Sequence, residues 1–163
     1  MGEDDPSVPT PSQTIGPFFG FALPFEGSVE AGPANAEGAI RIEGQLLDGA
    51  GDPVPDGLIE IWAGDDFARC RTDPEGAYHV GVRKPAAVPP HAPHLNLTVF
   101  ARGLLRQLAS RVYFPQEPAN AADPALARVE PVRRGTLIAR RDGEVFHFDI
   151  RLQGEDETVF FGL

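Results

Sequence analysis

The chain has 163 residues, of which 42% are hydrophobic, and its net charge is −10. This size and composition fit one domain with a real core and exclude a disordered chain, and the acidic balance argues against a nucleic-acid partner. Cys70 is the only cysteine, which excludes an internal disulfide, and no run of about 20 apolar residues is present to span a membrane. The first residues are acidic and lack the apolar run of a signal peptide, so we expect a cytoplasmic protein.

The N-terminal part of the chain is predicted to be irregular. Residues 1–12 are polar and proline-rich, which predicts a flexible tail. Residues 10–19 contain two prolines and a Gly-Pro step, so they should form neither a regular helix nor a central strand. Their aromatic side chains indicate an arm that packs on a partner. We therefore expect a single domain over residues 13–163, in which residues 13–38 form the arm and loop that contact another chain.

From residue 39 onward the sequence is typical of short strands separated by turns. Glycine and proline, 18 and 17 residues, punctuate the whole chain, which disfavours a helical bundle. Seven to nine short strands at regular spacing predict an antiparallel β-sandwich. The predicted strands, marked by period-two alternation or apolar runs, are 39–48, 57–62, 70–80 with a D-P-E-G turn inside it, 95–100, 110–114, 135–140, 144–152 and 158–161. The predicted connections include a loop at 83–93, one helical turn at 120–127 and a hairpin turn at 141–144.

One predicted strand carries half of a metal-site pattern. In the stretch H-A-P-H-L-N-L-T-V-F-A-R, residues 91–102, His94 and Asn96 should point to the same face of the strand. Two histidines at these positions would converge on one metal ion, but the second position holds asparagine. No cysteine pair and no H-E-x-x-H spacing supports a zinc site. A metal site built by this chain alone is therefore not expected, and the remaining histidines are His79, His91 and His147.

Other catalytic patterns are absent from the sequence. It contains no G-x-S-x-G nucleophile elbow and no phosphate-binding glycine loop. Arg102 stands apart from the other arginines because it follows an apolar strand beside Gly103, where it either faces a neighbouring cavity or is simply solvated. The residues alone thus indicate a β-sandwich without a catalytic set of its own, with one hydrophobic arm and one well-placed arginine.

Five stretches, taken together, resemble the intradiol ring-cleaving dioxygenase family, and within it the α chains of the two-chain members. They are T-P-S-Q-T-I-G-P-F-F, A-P-H-L-N-L-T-V-F-A-R-G, R-V-Y-F, T-L-I-A-R and F-D-I-R-L-Q-G-E-D-E-T-V-F-F. The resemblance implies a β-sandwich core and a homologous β chain as partner, with αβ pairs that gather into larger oligomers. In this family the β chain binds non-haem Fe(III) through two tyrosines and two histidines in an H-x-H pattern.

The resemblance also implies roles for individual residues. His94 matches the first histidine of the H-x-H pattern and Asn96 replaces the second, so the site is degenerate. No tyrosine lies in 63–69 or in the loop 83–93, where the family's tyrosine ligands would fall, so Fe(III) is expected on the partner β chain and not here. Substrate-binding residues at the interface with that chain are expected to be Thr14, Gly16, Pro17 and Arg102. Arg102 would offset the charge of a carboxylated catechol.

The resemblance implies that the chain serves the cleavage of protocatechuate (3,4-dihydroxybenzoate) by O₂ to 3-carboxy-cis,cis-muconate, in the β-ketoadipate pathway of aromatic catabolism. Two alternatives to this dioxygenase subunit stay open. One is a non-catalytic β-sandwich binding module that has lost the iron site, and the other is a self-sufficient enzyme with an altered metal site. Segments 20–38 and 63–72 look shorter than in typical α chains, which leaves the number of αβ pairs open.

Overall fold

The computed structural model describes residues 11, 13–14, 16–30 and 37–162. Apart from residue 11, the predicted tail of residues 1–12 lies outside the described residues. A 3-10 turn, Gly16–Phe18, leads into the short helix α1, Phe19–Ala22, although residues 10–19 were predicted to contain no regular helix. Phe19 is buried against Phe100 with ring centroids 5.9 Å apart. This contact stabilises the single turn of α1. Pro17 lies in the 3-10 turn just before α1, and a proline is tolerated at the start of a helix.

In the part of the chain that the structure describes, nine strands form two sheets. The first sheet has the order β4-β1-β8-β7, with β9 also paired to β1, and the second has the order β3-β2-β5-β6. None of the helices in the described ranges has the length and apolar character that crossing a bilayer requires. The strands are β1 (Ala39–Leu47), β2 (Leu58–Ala63), β3 (Asp66–Arg71), β4 (Ala77–Arg83), β5 (His94–Phe100), β6 (Leu108–Tyr113), β7 (Arg140–Asp142), β8 (Val145–His147) and β9 (Ile150–Arg151).

The predicted β-sandwich is confirmed, but its first sheet is not wholly antiparallel. β1 pairs in parallel with β8 and then with β9. Between these two pairings, which lie along the same edge of β1, the Phe148 backbone packs against Gly44, where a Cβ atom would collide with the carbonyl oxygen of Phe148. Hydrogen bonds from the Phe148 amide to the Glu43 carbonyl oxygen (2.8 Å) and from the Gln45 amide to Asp149 Oδ1 (2.9 Å) hold this irregular segment against β1. The predicted strand 144–152 is therefore split into β8 and β9.

Three other boundaries differ from the prediction. Residues 135–140 alternate like a strand, but the first three of them belong to a 3-10 segment, Pro131–Leu137, and only Arg140 lies in a strand, β7. The predicted strand 158–161 forms only a single bridge, between Ala109 and Phe161. Strand β3 begins before the predicted strand 70–80, which the D-P-E-G turn divides into β3 and β4. The hairpin turn at 141–144 is confirmed, since β7 and β8 pair across it.

Two apolar clusters form the core. The larger one lies between the sheets and joins residues such as Ile42 and Val80 of the first sheet to Leu95 and Leu97 of the second. The smaller cluster combines Tyr113 at the end of β6 with a helical segment that follows it. That segment consists of a 3-10 turn, Pro118–Ala122, the helix α2, Pro124–Arg128, and the 3-10 segment Pro131–Leu137.

Asp123 fastens this helical segment to the second sheet. Its fully buried carboxylate caps α2 by accepting hydrogen bonds from the amides of Ala125 (2.8 Å) and Leu126 (3.0 Å). It also accepts from the Ala92 amide (2.9 Å) and the Tyr113 hydroxyl (3.1 Å). Burial alone would raise the pKa of Asp123, but these hydrogen bonds outweigh burial and lower its pKa to about 2.

We expect Asp123→Asn to reduce the free energy of unfolding near neutral pH by about 2–3 kcal/mol, because the folded pKa is about 2 against 3.8 for an unperturbed aspartate. Since the folded pKa is the lower one, this stabilisation is complete above pH ~4 and is lost as the pH falls towards ~2. Urea unfolding of both proteins at several pH values measures the difference.

The matched control is Asp142→Asn, which removes an exposed carboxylate in the β7–β8 hairpin and should change stability by less than about 0.5 kcal/mol. A difference between wild type and Asp123→Asn that stays constant from neutral to acid pH would contradict the assigned role of the ionised carboxylate.

Candidate functional site

The site residues predicted from the sequence lie at opposite ends of β5. His94 and Asn96 are at its start, and Arg102 lies two residues beyond its last residue, Phe100. A strand rises about 3.3 Å per residue, so the two ends are separated by about 20 Å. The structure therefore brings His94 and Asn96 together, and it places Arg102 elsewhere.

His94 is held in the protonation state that a metal ligand requires. Its Nδ1 lies 2.8 Å from the carbonyl oxygen of Ala92, and because a carbonyl only accepts, Nδ1 must carry the proton. Burial is the main cause that lowers the pKa of His94, so the ring is neutral at pH 7 and its Nε2 carries a lone pair. This one ligand position is thus intact.

The second position of the pattern has lost its ligand character. Asn96 is exposed on the face of β5 that it shares with His94, and Trp62 of β2 and Arg111 of β6 are its direct cross-strand neighbours. Among the described residues, no group of three or more histidine, cysteine, aspartate or glutamate side chains is placed to hold a metal ion. The surroundings of Asn96 supply a guanidinium cation where a ferric site would need anionic donors.

Neither tyrosine of the chain is available as a phenolate ligand. Tyr78 is buried in the main core and donates a hydrogen bond to the Phe148 carbonyl oxygen (2.6 Å). Tyr113 is buried in the smaller cluster and donates to Asp123. Burial raises the pKa of both phenols, which keeps them protonated. The residues of this chain therefore do not fit the family's ferric ligand set.

Ion pairs occupy the loops where the family's tyrosine ligands would fall. A cavity of about 460 Å³ next to His94 and Asn96 is lined by residues of the β2–β3 turn and of the loop that follows β4. Arg83 forms a two-pronged ion pair with Asp66 across this cavity, with both nitrogen–oxygen distances at 2.7 Å. Lys84 pairs with Glu117 on the helical segment. These contacts tie the loops together without a metal.

Arg102 is anchored within the chain by Asp56, a partner that sequence reasoning missed. Its Nη2 lies 2.8 Å from Asp56 Oδ2 and its Nε 3.3 Å from Asp56 Oδ1. The Asp56 carboxylate is almost buried, whereas 61% of the Arg102 side chain is exposed. The Asp56 carboxylate thus orients the guanidinium, and the N–H groups that do not contact Asp56 face solvent.

The arm residues lie at the Arg102 end of β5. Thr14 lines a shallow pocket of about 200 Å³ together with Phe19, Phe100 and Leu104. The Thr14 hydroxyl oxygen accepts a hydrogen bond from the Gly16 amide (3.2 Å), which leaves its own proton free to be donated. Gly16 has a φ of +62°, a value that favours glycine, and Pro17 follows it in the 3-10 turn.

Exposed aromatic side chains follow these arm residues. Phe18, Phe21 and Phe25 are 64%, 67% and 57% exposed, and Leu105 at the rim of the Thr14 pocket is 60% exposed. Isolated apolar side chains on a surface are ordinary, but several within one short segment mark an interaction surface. The arm and the loop after β5 therefore expose several apolar side chains, and Leu105 is the one that lines the Thr14 pocket.

Curated relatives match almost the whole chain. It is 37% identical to the protocatechuate 3,4-dioxygenase alpha chain of Burkholderia cepacia over 190 aligned positions, covering 93% of this chain and 96% of the relative. Identity to the alpha chain of Pseudomonas putida is 39%, covering 93% and 95%. The beta chain of Burkholderia cepacia is 29% identical over 73% of this chain and 66% of its own length. No protein-family model matches the chain.

Solved structures agree on the fold. The dioxygenase domain of a dioxygenase carbohydrate-binding protein fusion from Streptomyces sp. SirexAA-E superposes with a TM-score of 0.65 at 21% identity, covering 91% of this chain and all of that one. An intradiol ring-cleavage dioxygenase from Tetranychus urticae has a TM-score of 0.63 at 11% identity, covering 78% and 88%. Because the curated alpha chains exceed 30% identity over nearly their full length, this chain belongs to the intradiol ring-cleaving dioxygenases, in the group of protocatechuate 3,4-dioxygenase chains.

Proposed function

We propose that this chain is the α subunit of a heteromeric protocatechuate 3,4-dioxygenase whose ferric site lies on a homologous β subunit. The carrying observation is the contrast between two facts. Relatives named as alpha chains match nearly all of this sequence, yet the equivalent of the H-x-H pattern reads His94-Leu95-Asn96 and both tyrosines are hydrogen-bonded in cores. In this proposal the chain completes a substrate pocket that the β subunit begins.

Arg102 is proposed to bind the substrate carboxylate. Protocatechuate is an anion and the chain carries −10, so the general field opposes its capture. The guanidinium reverses this field locally, and its charge does not change near neutral pH. Because Asp56 already orients the guanidinium, little side-chain freedom is lost when the substrate binds.

Thr14 and Gly16 are proposed to shape the wall of the same pocket, with Pro17 beside them. The Thr14 hydroxyl has its proton available for a substrate oxygen, since its lone pair receives the Gly16 amide. The absence of a side chain at Gly16 lets a ligand approach the backbone closely. Iron would supply the chemistry of ring cleavage from the β subunit, and the residues of this chain bind and orient the substrate.

The cellular setting of this proposal is the β-ketoadipate pathway of aromatic catabolism in the cytoplasm. A single cysteine that is buried in the structure fits a reducing compartment. Its thiol has a pKa raised by burial, which makes Cys70 an unreactive core residue and assigns it no catalytic part.

We expect the chain purified alone to bind no ferric iron and to lack the visible absorption of iron-bound tyrosinate, because no phenolate donor is available to it. Co-expression with a homologous chain that carries two tyrosines and an H-x-H pattern should give a complex that contains iron and consumes O₂ with protocatechuate. Metal analysis and oxygen uptake measure both. Stoichiometric iron in the lone chain would favour a self-sufficient enzyme, and failure to assemble or to activate the β chain would favour a binding module.

We expect the double variant Phe18→Ser/Phe21→Ser to weaken assembly with the β chain by at least about tenfold, because aromatic side chains carry much of the binding energy at interfaces. Analytical ultracentrifugation of mixed chains measures the change. The matched control is Val132→Ser, at a side chain 85% exposed in the segment after α2, which should assemble normally. If both variants assembled equally well, the arm would not be part of the interface with the β chain.

We expect Arg102→Ala to raise KM for protocatechuate in the complex and to lower kcat/KM by roughly 10- to 150-fold, as for a charged hydrogen bond of about 1.5–3 kcal/mol. Catechol, which lacks the carboxylate, should be turned over equally by wild type and variant. Iron content should not change, because Arg102 is not a ligand.

Two controls separate substrate binding from the structural effect of leaving Asp56 unpaired. Asp56→Asn removes the anchor but keeps the cation, so it should raise KM less than Arg102→Ala does. Arg140→Ala removes an exposed arginine on β7 and should leave KM unchanged. An Arg102→Ala complex with the same KM for protocatechuate as wild type would show that Arg102 is merely a solvated residue at a strand end.

A further inference from the structure

A third cavity of the molecule is lined by arginines and has no role in the proposed function. It is a groove of about 870 Å³ on the outer face of β5 and β6, walled by α2 and the residues after it on one side and by residues 159–162 on the other. This volume is in the range of small-molecule sites, roughly 300–1,000 Å³. We call it the arginine groove, defined by Asn96, Ser110, Arg111, Arg128, Arg133 and Phe161.

The arginine groove is a positive region on a negative protein. Three guanidinium groups line it, and Glu130 is the one carboxylate among its lining residues. Arg133 is partly neutralised, since its Nη2 lies 3.5 Å from Glu157 Oε1 and 3.2 Å from the Glu157 carbonyl oxygen. The buried carboxylate of Asp123 lies nearby, but it receives backbone amides and the Tyr113 hydroxyl. Positive charge is therefore in excess inside the groove.

Arg111 is held in place before any ligand arrives. Its Nη1 donates to the Tyr113 hydroxyl oxygen and lies 3.3 Å from both that oxygen and His91 Nδ1. The guanidinium also lies 5.9 Å from the centre of the Phe161 ring. A pre-oriented guanidinium loses little conformational entropy when it binds an anion, and its planar fork matches a carboxylate.

The position of Arg111 next to Asn96 disfavours a cationic ligand in this part of the groove. Arg111 pairs directly with Asn96 across β5 and β6, so a permanent positive charge lies beside the degenerate ligand position. A metal cation would be repelled there, and an anion attracted. The positive charge beside Asn96 is therefore that of the Arg111 side chain.

The rest of the lining indicates an apolar body on the ligand. Val129, Val159 and Phe161 supply apolar surface, and the Asn96 amide adds a donor and an acceptor. The Ser110 hydroxyl donates to the Val159 carbonyl oxygen (2.7 Å), which leaves its oxygen free to accept. We propose that the arginine groove binds a small organic carboxylate with an apolar body.

Two sources share this chemistry: an aromatic carboxylate and a ring-opened unsaturated diacid. The test uses the full chain and the probes 3,4-dihydroxybenzoate, cis,cis-muconate and catechol, with binding measured by calorimetry. Trp62, the only tryptophan of the chain, is 44% exposed and is the cross-strand neighbour of Asn96, so its fluorescence reports occupancy. We expect saturable one-to-one binding of at least one carboxylate, weakened by added salt, and at least about tenfold weaker binding of catechol.

The variants locate the site. Arg128→Gln, in the last turn of α2, and Arg111→Gln should each weaken carboxylate binding by about tenfold or more. Arg140→Gln removes the same charge from β7, outside the groove, and should have no effect. Arg128 is exposed, so Arg128→Gln keeps the test valid if Arg111→Gln fails to fold.

Three results would overturn the proposal. The first is no saturable binding of either carboxylate up to about 10 mM, a weak-affinity limit. The second is equal loss of binding in Arg128→Gln and Arg140→Gln, which would reduce the effect to net charge. The third is catechol binding as tight as that of 3,4-dihydroxybenzoate, which would mean that the arginines do not recognise the ligand. The relative affinities of 3,4-dihydroxybenzoate and cis,cis-muconate identify the source of a supported site.

Discussion

The buried carboxylate of Asp123 is the interaction on which one whole side of the molecule depends. It connects three parts of the chain that also pack together in the smaller apolar cluster: the start of α2, the end of the loop before β5, and β6 through Tyr113. Four hydrogen bonds offset the cost of burying its charge. Because α2 is only five residues long, it would not persist alone, and without it the arginine groove would lose a wall.

The site residues predicted on and beside strand β5 lie at its two ends. At one end, His94 and Asn96 lie at the positions of a metal pattern, with Arg111 paired to Asn96 and the Arg83–Asp66 ion pair beside them. At the other end, Arg102 is aimed outward from a buried acid, beside an apolar arm. The two ends of β5 thus differ in chemistry: ion pairs surround the degenerate ligand position at one end, and the other end carries the exposed arginine that is proposed to bind substrate.

The sequence predicted these features unevenly, for physical reasons. The alternation of polar and apolar residues correctly placed His94 and Asn96 on one face of β5, because side chains two residues apart on a strand point the same way. Strand β3 was largely missed because its inward residues, Ala68 and Cys70, are small and give a weak hydrophobic signal. Asp123 before a proline carries an N-cap signature, but its bonds to Ala92 and Tyr113, like the Asp56–Arg102 pair, join residues distant in sequence, and single-sequence patterns do not encode such contacts.

The parallel pairing of β1 has a consequence for how the chain folds. β1 ends at Leu47, yet its partners on one side, β8 and β9, lie at 145–151. That side of the strand stays an open edge until about a hundred further residues have been synthesised, so the first sheet closes late and slowly. During this interval an unpaired edge is open to pairing with another chain. Gly44 contributes to closing this edge, because its missing side chain leaves room for the Phe148 carbonyl between β8 and β9.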